Sequence, residues 1–370
     1  MAATQPNSLR LLFASTPVGA IGSGIGGGVE FTLQNLAREM ILRGHMVHIL
    51  APEGSKTEVD CPIIEITGKL QTSIQQLNRD TQIPIISNSV LTRMWEFIGK
   101  NQSNYHLIVN FAYDWLPFYL SPFINIPIAH MISMASLSKE MDNFIEQISI
   151  RLPNTIAFYT KTQAQTFQFG SRCRIVGSGI NIKDYQYCDK PDNYLVWVAR
   201  ISPEKRLEDA VIAAKLTGIP LKIMGLLQDK SYWESIQQNY PDAQAEYLGF
   251  LTIREMQLVL RRSRGYLMTH RWSEAFGMTA IQSLACGVPV ITYNQGGPAE
   301  IVRHGQTGWL VPSGSLVELV KAINNLDKID RLACRQQAEA EYSIQVYGNL
   351  MENWFYDILS ENRASGETRL

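Results

Sequence analysis

Several things are scarce or missing in this chain. Its 370 residues hold five cysteines, Cys61, Cys173, Cys188, Cys286 and Cys334. The number is odd, the spacing is wide and no Cys-x-x-Cys occurs. That excludes a disulfide framework and a thiolate zinc site, and it fits a reducing compartment. Net charge is also missing: 33 Lys and Arg stand against 34 Asp and Glu. Nothing in that balance draws the chain to nucleic acid or to an anionic membrane surface, and no nucleic-acid partner is expected. No stretch approaches 18 consecutive apolar residues, so no transmembrane helix is expected. The opening residues, MAATQPNSLRLLFAS, lack a basic segment leading into an apolar core, so they do not read as a signal peptide and the expected location is the cytoplasm. There is no internal repeat and no low-complexity tract. The sequence says nothing of oligomeric state.

What is present is alternation. A length of 370 residues with 45% hydrophobic content suits two domains of ordinary size. Leu9 to Ser15 reads as an apolar strand, followed by a glycine-rich loop, a helix from about Val29 to Arg43, and a strand from Met46 to Ala51. Leu107 to Phe111, Ile126 to Ile132, Thr155 to Thr160 and Arg174 to Val176 continue the strand series. Around Gln186 to Asn193 the composition turns to QYCDKPDN, which reads as a linker. The theme then restarts with strands at Tyr194 to Ala199, Leu221 to Gly225, Glu246 to Gly249, Gly265 to Thr269 and Val288 to Thr292, and a helix at Leu207 to Thr217. Alternation of this kind predicts an α/β chain with two Rossmann-like, doubly wound parallel domains facing a cleft, residues 1–185 and 186–341. A C-terminal helical segment, 342–370, ends in the polar ENRASGETRL, which reads as frayed.

The segment Arg271 to Glu300, RWSEAFGMTAIQSLACGVPVITYNQGGPAE, is the richest in chemistry. Trp272-Ser273-Glu274 is a polar entry, Phe276-Gly277 opens a helix and Cys286-Gly287 closes it. Val288 to Thr292 is a buried strand, Gly296-Gly297-Pro298 a turn, and Glu300 the start of the next helix. Such an edge offers backbone N–H groups and one carboxylate to a small polar ligand. Glu274 can accept sugar hydroxyls, while the amides of Phe276, Gly277 and Met278 suit a phosphate. If 274 to 282 is helical, Glu274 and Gln282 lie about 12 Å apart.

Arg200 and Lys205 follow the first strand of the second half. Cations there point into the crevice at the carboxyl ends of an open sheet, and two of them can embrace a diphosphate. An isolated Arg-x4-Lys is more often a pair of solvated charges; its position and its partnership with the 274–282 segment favour the ligand. In the first half, PVGAIGSGIGGG holds Gly22-x-Gly24-x-x-Gly27, which matches a dinucleotide fingerprint on paper and would imply an NAD-dependent oxidoreductase. A Rossmann loop turns directly off its strand, whereas several residues intervene here. Asp114 and Trp115 follow a strand. They suit a flat heterocycle held by hydrogen bonding and stacking, and equally a capping Asp among core aromatics. His130 sits at a strand end. His45, His48, His106, His270 and His304 receive no role.

The order Glu274, Phe276-Gly277, Gln282, then Ala285-Cys286-Gly287-x-Pro289-Val290-Ile291 resembles the retaining glycosyltransferases of the GT-B fold (family 4-like), as does Gly26-Gly27-Gly28-Val29-Glu30. The family carries Glu where this chain has Gln282 and Gly where it has Arg206. The resemblance implies a metal-independent hexosyltransferase with no cofactor beyond a nucleotide-sugar co-substrate. It places the acceptor on the first domain and the donor on the second, and the C-terminal helix crosses back to the first domain. Glu274, His130, Arg200 and Lys205 would be catalytic. Gly27, Gly28, Phe250, Leu251, Phe276, Gly277, Met278 and Gln282 would hold the donor, and His130 would touch the donor sugar. Arg174 to Asn181 would be an interdomain turn. No Asp-x-Asp occurs to carry a metal, so Arg200, Lys205 and helix amides would neutralise the leaving diphosphate themselves. That fits front-face retention. STPVGAIGSGIGGGVEFTLQNLA, VNFAYDWLPFYLSPF and HMISMASLS are similar to the cyanobacterial enzymes that transfer glucose from UDP-glucose to tetrahydrobiopterin. That closer resemblance implies a pterin acceptor, with Glu30, Tyr113, Asp114 and Trp115 as its contacts. A non-catalytic sugar-nucleotide binder remains an alternative because of Gln282 and Arg206.

Overall fold

Strong strand formers flanked by helices on both sides give near-continuous buried runs, the signature of parallel sheets covered on both faces. The computed structural model describes residues 8–72 and 86–367. The first seven residues of the opening segment and the last three of the tail lie outside the described residues. Among the described residues thirteen strands are present: β1 Arg10–Ala14, β2 Met46–Pro52, β3 Ile63–Ile66, β4 Leu107–Asn110, β5 Ile128–Ile132, β6 Ile156–Phe158, β7 Arg174–Ile175, β8 Leu195–Val198, β9 Leu221–Met224, β10 Ala245–Tyr247, β11 Gly265–Met268, β12 Val290–Tyr293 and β13 Gly308–Val311. They form a seven-stranded sheet, ordered β3-β2-β1-β4-β5-β6-β7, and a six-stranded sheet, ordered β10-β9-β8-β11-β12-β13. Every strand pair is parallel.

Both sheets share one winding. The chain moves outward from the first strand in one direction, then returns past it and continues in the other. The order therefore reverses between β1 and β4 in one sheet and between β8 and β11 in the other. Loops leaving the carboxyl ends of those neighbours diverge and open a crevice, which is where open α/β sheets bind ligands.

Two compact units result, one made of the chain up to Gly179 plus Ile344 onward, the other of Ile180–Ser343. The two crossings lie side by side: Ile180 pairs with Ser343, and its amide donates to Tyr342 O at 2.9 Å. The linker-like stretch 186–193 is strapped to the second unit. Arg331 donates to the carbonyls of Cys188, Ser263 and Arg261, Arg335 donates to Tyr185 O, and Asp192 pairs with Arg262. Its Pro and Asp content described polarity, not freedom.

In the first unit, helix Gly28–Leu42 buries Leu33, Leu36, Ala37 and Met40, one stripe at helical spacing. It packs against helix Ile344–Glu367. Polar ties join them: Arg43 Nη1 and His45 Nε2 each lie 2.9 Å from the Glu352 carboxylate. Trp354 Nε1 donates to Asn154 O, and Arg174 pairs with Asp357 at 2.6 Å. This last helix runs on through the polar tail to Glu367, further than its composition suggested.

One departure from the sequence pattern has a backbone explanation. Arg206 stands in the left-handed region (φ 51°, ψ 48°), the position a glycine occupies without strain, just before helix Leu207–Thr217. Its guanidinium bonds both oxygens of buried Asp209, at 3.1 and 3.2 Å, and Asp209 also accepts from Tyr293. The ion pair offsets a conformation that costs an ordinary residue about 1–2 kcal/mol. Arg206→Ala keeps that strain and loses the pair, so it is expected to be less stable than Arg206→Gly by about 1 kcal/mol. Urea unfolding of both full-length variants measures this, and equal stabilities would remove the strain from the account.

Candidate active site

In the second unit the β8 and β11 loops meet at the order reversal. After β8 the chain passes Arg200 into the short turn Pro203–Lys205. After β11 it runs through His270, Trp272 and Glu274 to helix Met278–Ala285. Lys205 Nζ lies 2.5 Å from Glu274 Oε2. Trp272 Nε1 donates to the same oxygen at 3.0 Å, and its ring lies 4.7 Å from the ammonium. His270 Nε2 stands 3.5 Å from that oxygen. Three side chains thus converge on Oε2, and the Glu274 side chain keeps about a quarter of its surface (25%) exposed. Arg200 is held by Gln228 at 2.7 Å and lies 3.8 Å from Glu204.

Backbone bonds fix these loops. Thr269 Oγ1 accepts from Trp197 Nε1 and donates to Arg206 O, and Arg271 N donates to Glu204 O. Gln295 Nε2 donates to His270 O, and Gly297 N donates to Glu274 O at 2.7 Å. Gly296 has φ 64°, and a Cβ there would sit 2.8 Å from Glu274 N and O; a Cβ on Gly297 would sit 2.4 Å from Phe276 O. Only glycine permits this approach. Gly296-Gly297-Pro298 is therefore the first turn of helix Gly296–Ile301, not a turn before it, and Glu300 lies near that helix's end.

The electrostatics follow from burial and partners. Burial alone would raise the Glu274 carboxyl. Lys205, then His270, then the bonds from Lys205 and Trp272 outweigh it and hold it at about 2. Burial pulls the Lys205 ammonium down, and Glu274 pushes it back up. Burial, then Lys205, depresses His270 to about 3, so its ring is neutral.

Gln282 is 5% exposed, and its Nε2 donates to Tyr185 Oη at 2.9 Å. The stretch from Glu274 is not one helix: Gly277, with φ 114°, caps a helix that starts at Met278, so the helical spacing to Glu274 does not apply. Phe276 and Gly277 are buried and Met278 half-buried. Phe250 is exposed beyond β10, with Leu251 half-buried next to it.

The first unit uses most of its marked polar groups internally. Glu30 is buried; Oε2 accepts from Gly22 N at 3.0 Å and Oε1 from Gly26 N at 2.6 Å. Burial raises its carboxyl, and those amides oppose the rise. The loop is tied to the segment after β2 through Ile21 N to Ser55 Oγ and Lys56 N to Ile21 O. The protein's own carboxylate thus occupies amides that a dinucleotide pyrophosphate would need. Gly27 and Gly28 are exposed.

His130 is 0% exposed, and both of its nitrogens are engaged. Ala112 N donates to Asn110 Oδ1, which fixes the amide so that Nδ2 donates to His130 Nδ1 at 3.1 Å. Nε2–H then donates to Ser121 Oγ at 2.8 Å, and Ser121 donates to Pro117 O. Phe118 stacks on the ring at 4.6 Å. As placed, the ring offers no nitrogen to a sugar. Burial lowers it to about 3. It is the central residue of β5, not a strand end as expected, and its setting is a packed, fully bonded one.

Asp114 differs. It is buried, its Oδ1 has no hydrogen-bond partner, and burial lifts the carboxyl to about 6 despite the amides of Leu116 and Trp115. Trp115 beside it is half-buried, 5.9 Å from both Tyr119 and Phe144, and Tyr113 is buried. His270 and Trp272 are the site residues that sequence reasoning missed. His270 lies just past β11, at the kind of strand end expected, but not found, for His130. Among the described residues no group of three His, Cys, Asp or Glu is placed to hold a metal ion, and no helix is long and apolar enough to cross a membrane.

Comparison with known proteins agrees with this architecture. The family model "Glycosyl transferases group 1" matches residues 182–341, which lie within the second unit. An uncharacterized glycosyltransferase of Methanocaldococcus jannaschii is 27% identical over 177 residues, 46% of this chain and 49% of that protein. The D-inositol 3-phosphate glycosyltransferase of Rhodococcus erythropolis is 27% identical over 198 residues, 48% and 44% respectively. The chain thus spans about half the length of these curated relatives, and only 7% of a Solanum tuberosum sucrose synthase. Among solved structures, Anabaena HepE in complex with UDP-glucose superposes with a TM-score of 0.72 at 18% identity, covering 93% of this chain and 99% of that one. Sucrose-phosphate synthase from Thermosynechococcus elongatus gives 0.74 at 18%, covering 95% and 100%. The fold, two parallel-sheet Rossmann-like domains, is that of the GT-B glycosyltransferases.

The two buried histidines set a pH dependence. Each is neutral when folded, with a value near 3, and takes up a proton near 6.5 when unfolded. The unfolded chain therefore binds more protons between those values, and stability falls as pH drops through that window. Asp114, raised to about 6, works in the opposite direction and offsets part of the loss. From pH 7.5 to 5.5 each histidine is expected to cost about 1 kcal/mol. His130→Gln should remove its share of that slope in urea unfolding, whatever it does to stability at pH 7.5. A slope unchanged by the substitution would mean that His130 is not buried neutral.

Proposed function

We propose that this protein is a retaining, metal-independent hexosyltransferase that moves glucose from UDP-glucose to a side-chain hydroxyl of a pterin such as tetrahydrobiopterin. The observation that carries the reading is the Lys205–Glu274 pair at the order reversal of the second sheet, with Arg200 beside it. A cation pair suits the diphosphate, and an ionised, partly exposed carboxylate suits sugar hydroxyls. The match of this unit to the glycosyl transferase model supports the donor class, and the UDP-glucose complex of the Anabaena neighbour supports the nucleotide.

In this reading Arg200 and Lys205 stabilise the negative charge that develops on the departing diphosphate. That phosphate oxygen accepts the acceptor's hydroxyl proton, and the new bond forms on the face the nucleotide leaves. Glu274 orients the sugar. Gln282 lies buried against Tyr185, so its contribution to the donor runs through packing of helix Met278–Ala285. For the acceptor, Asp114 has an unsatisfied buried oxygen that matches the N–H groups of an amino-pyrimidine edge, and Trp115 supplies a neighbouring ring. Glu30 and Gly26 to Gly28 shape the adjoining loop, and Tyr113 stands next to Asp114.

A thermal-shift screen with UDP, UDP-glucose, GDP, ADP and NAD tests the donor. UDP or UDP-glucose at about 100 times its dissociation constant should add roughly 2.7 kcal/mol of stability. A shift with NAD alone would overturn the reading. Lys205→Ala and Glu274→Ala should each lower transfer to tetrahydrobiopterin by roughly 10²–10³. Near-normal transfer by either variant removes that residue from the mechanism.

A further inference from the structure

We propose that His270 is a positioning residue that takes over Glu274 when Lys205 turns to the donor's diphosphate; the inference rests on the donor reading above. In the structure, Lys205 neutralises Glu274 at 2.5 Å. The proposed chemistry asks the same ammonium to serve a diphosphate. A phosphate chain carries more charge than one carboxylate and draws the ammonium toward itself. Glu274 would then keep only Trp272, which donates a hydrogen bond but carries no charge. A largely enclosed carboxylate without a cation is costly.

His270 is the group placed to replace the lysine. Its Nε2 stands 3.5 Å from the same Oε2, a closure of about half an ångström short of a hydrogen bond. Its Nδ1 is buried and bonded to no protein atom, so no protein hydrogen bond holds the ring from that side. Gln295, capping the next helix, holds the His270 carbonyl, so the ring has a fixed mount. The charged groups facing the ring are Lys205 and Arg200, which oppose a positive imidazole, and Glu274, which favours one. A diphosphate neutralises the first two and leaves the third. The imidazole then takes one proton from solvent, and its Nε2–H donates to Glu274. Oε1 is left for the sugar.

The test is calorimetric titration of UDP-glucose into the whole protein at about pH 6.5, in two buffers of different ionisation enthalpy, so that the protons taken up on binding are counted. Wild type should take up a substantial fraction of one proton. His270→Gln keeps a neutral donor at similar reach; it should take up none and bind UDP-glucose within a few-fold of wild type. His270→Leu has no donor and should bind about ten-fold or more weakly. UDP, which lacks the sugar that Glu274 orients, should be affected less. Circular dichroism confirms that both variants are folded. Proton uptake unchanged in His270→Gln, or wild-type UDP-glucose affinity in His270→Leu, overturns the handover and leaves the donor reading intact. Absence of binding by wild type to both UDP and UDP-glucose overturns the donor reading and the handover with it.

Discussion

An ammonium stripped of water is tolerable only beside a carboxylate, and Lys205 meets that condition through Glu274. Much of the second unit's local architecture serves this pairing. The two residues are 69 apart in sequence, and the winding of the sheet brings them together by making β8 and β11 neighbours. The bond from Gly297 N to Glu274 O and the close approach of Gly296 then fix the carboxylate's height above the sheet. Trp272 occupies the remaining side, adding a hydrogen bond and an aromatic face to the cation. The fold alone thus gathers Lys205, Trp272 and His270 around one carboxylate oxygen of Glu274.

The first unit follows a different logic. Glu30 satisfies the amides of its own glycine loop, and His130 is closed into a relay running from Asn110 through Ser121 to Pro117 O. Glu30 lies in the first turn of helix Gly28–Leu42 and His130 in the middle of β5, and the hydrogen-bonding capacity of both is already used. Asp114 is the contrast. Its Oδ1 is buried and unpaired, and its raised carboxyl reports the cost of keeping it so.

The alternation of apolar runs and helical stripes made most strands legible, because buried parallel strands are nearly continuous in Val, Ile and Leu. β3 and β13 were missed. Ile63–Ile66 is only partly buried, and Gly308–Val311 opens on a glycine whose absent Cβ lets it lie against Val290 O. Glu274, Arg200 and Lys205 were legible as residue types at strand ends. The grouping of His270 and Trp272 with them was not, since it depends on which strands are neighbours. The helical condition behind the 12 Å spacing from Glu274 to position 282 is not met for a local reason: Gly277 adopts a positive φ, and the helix starts at Met278, four residues after Glu274.

The two positions that depart from the pattern the sequence resembles are each absorbed by a specific partner. Arg206 replaces a residue without a side chain at a left-handed position, and buried Asp209 binds its guanidinium through both oxygens. Gln282 replaces a carboxylate, and at 5% exposure an unpaired carboxylate would be expensive. A neutral amide donating to Tyr185 Oη satisfies both groups without placing charge in the core. The amide also joins helix Met278–Ala285 to the segment entering the unit after Gly179. Both departures are therefore compatible with an intact Lys205–Glu274 pair, because neither removes a group that holds it.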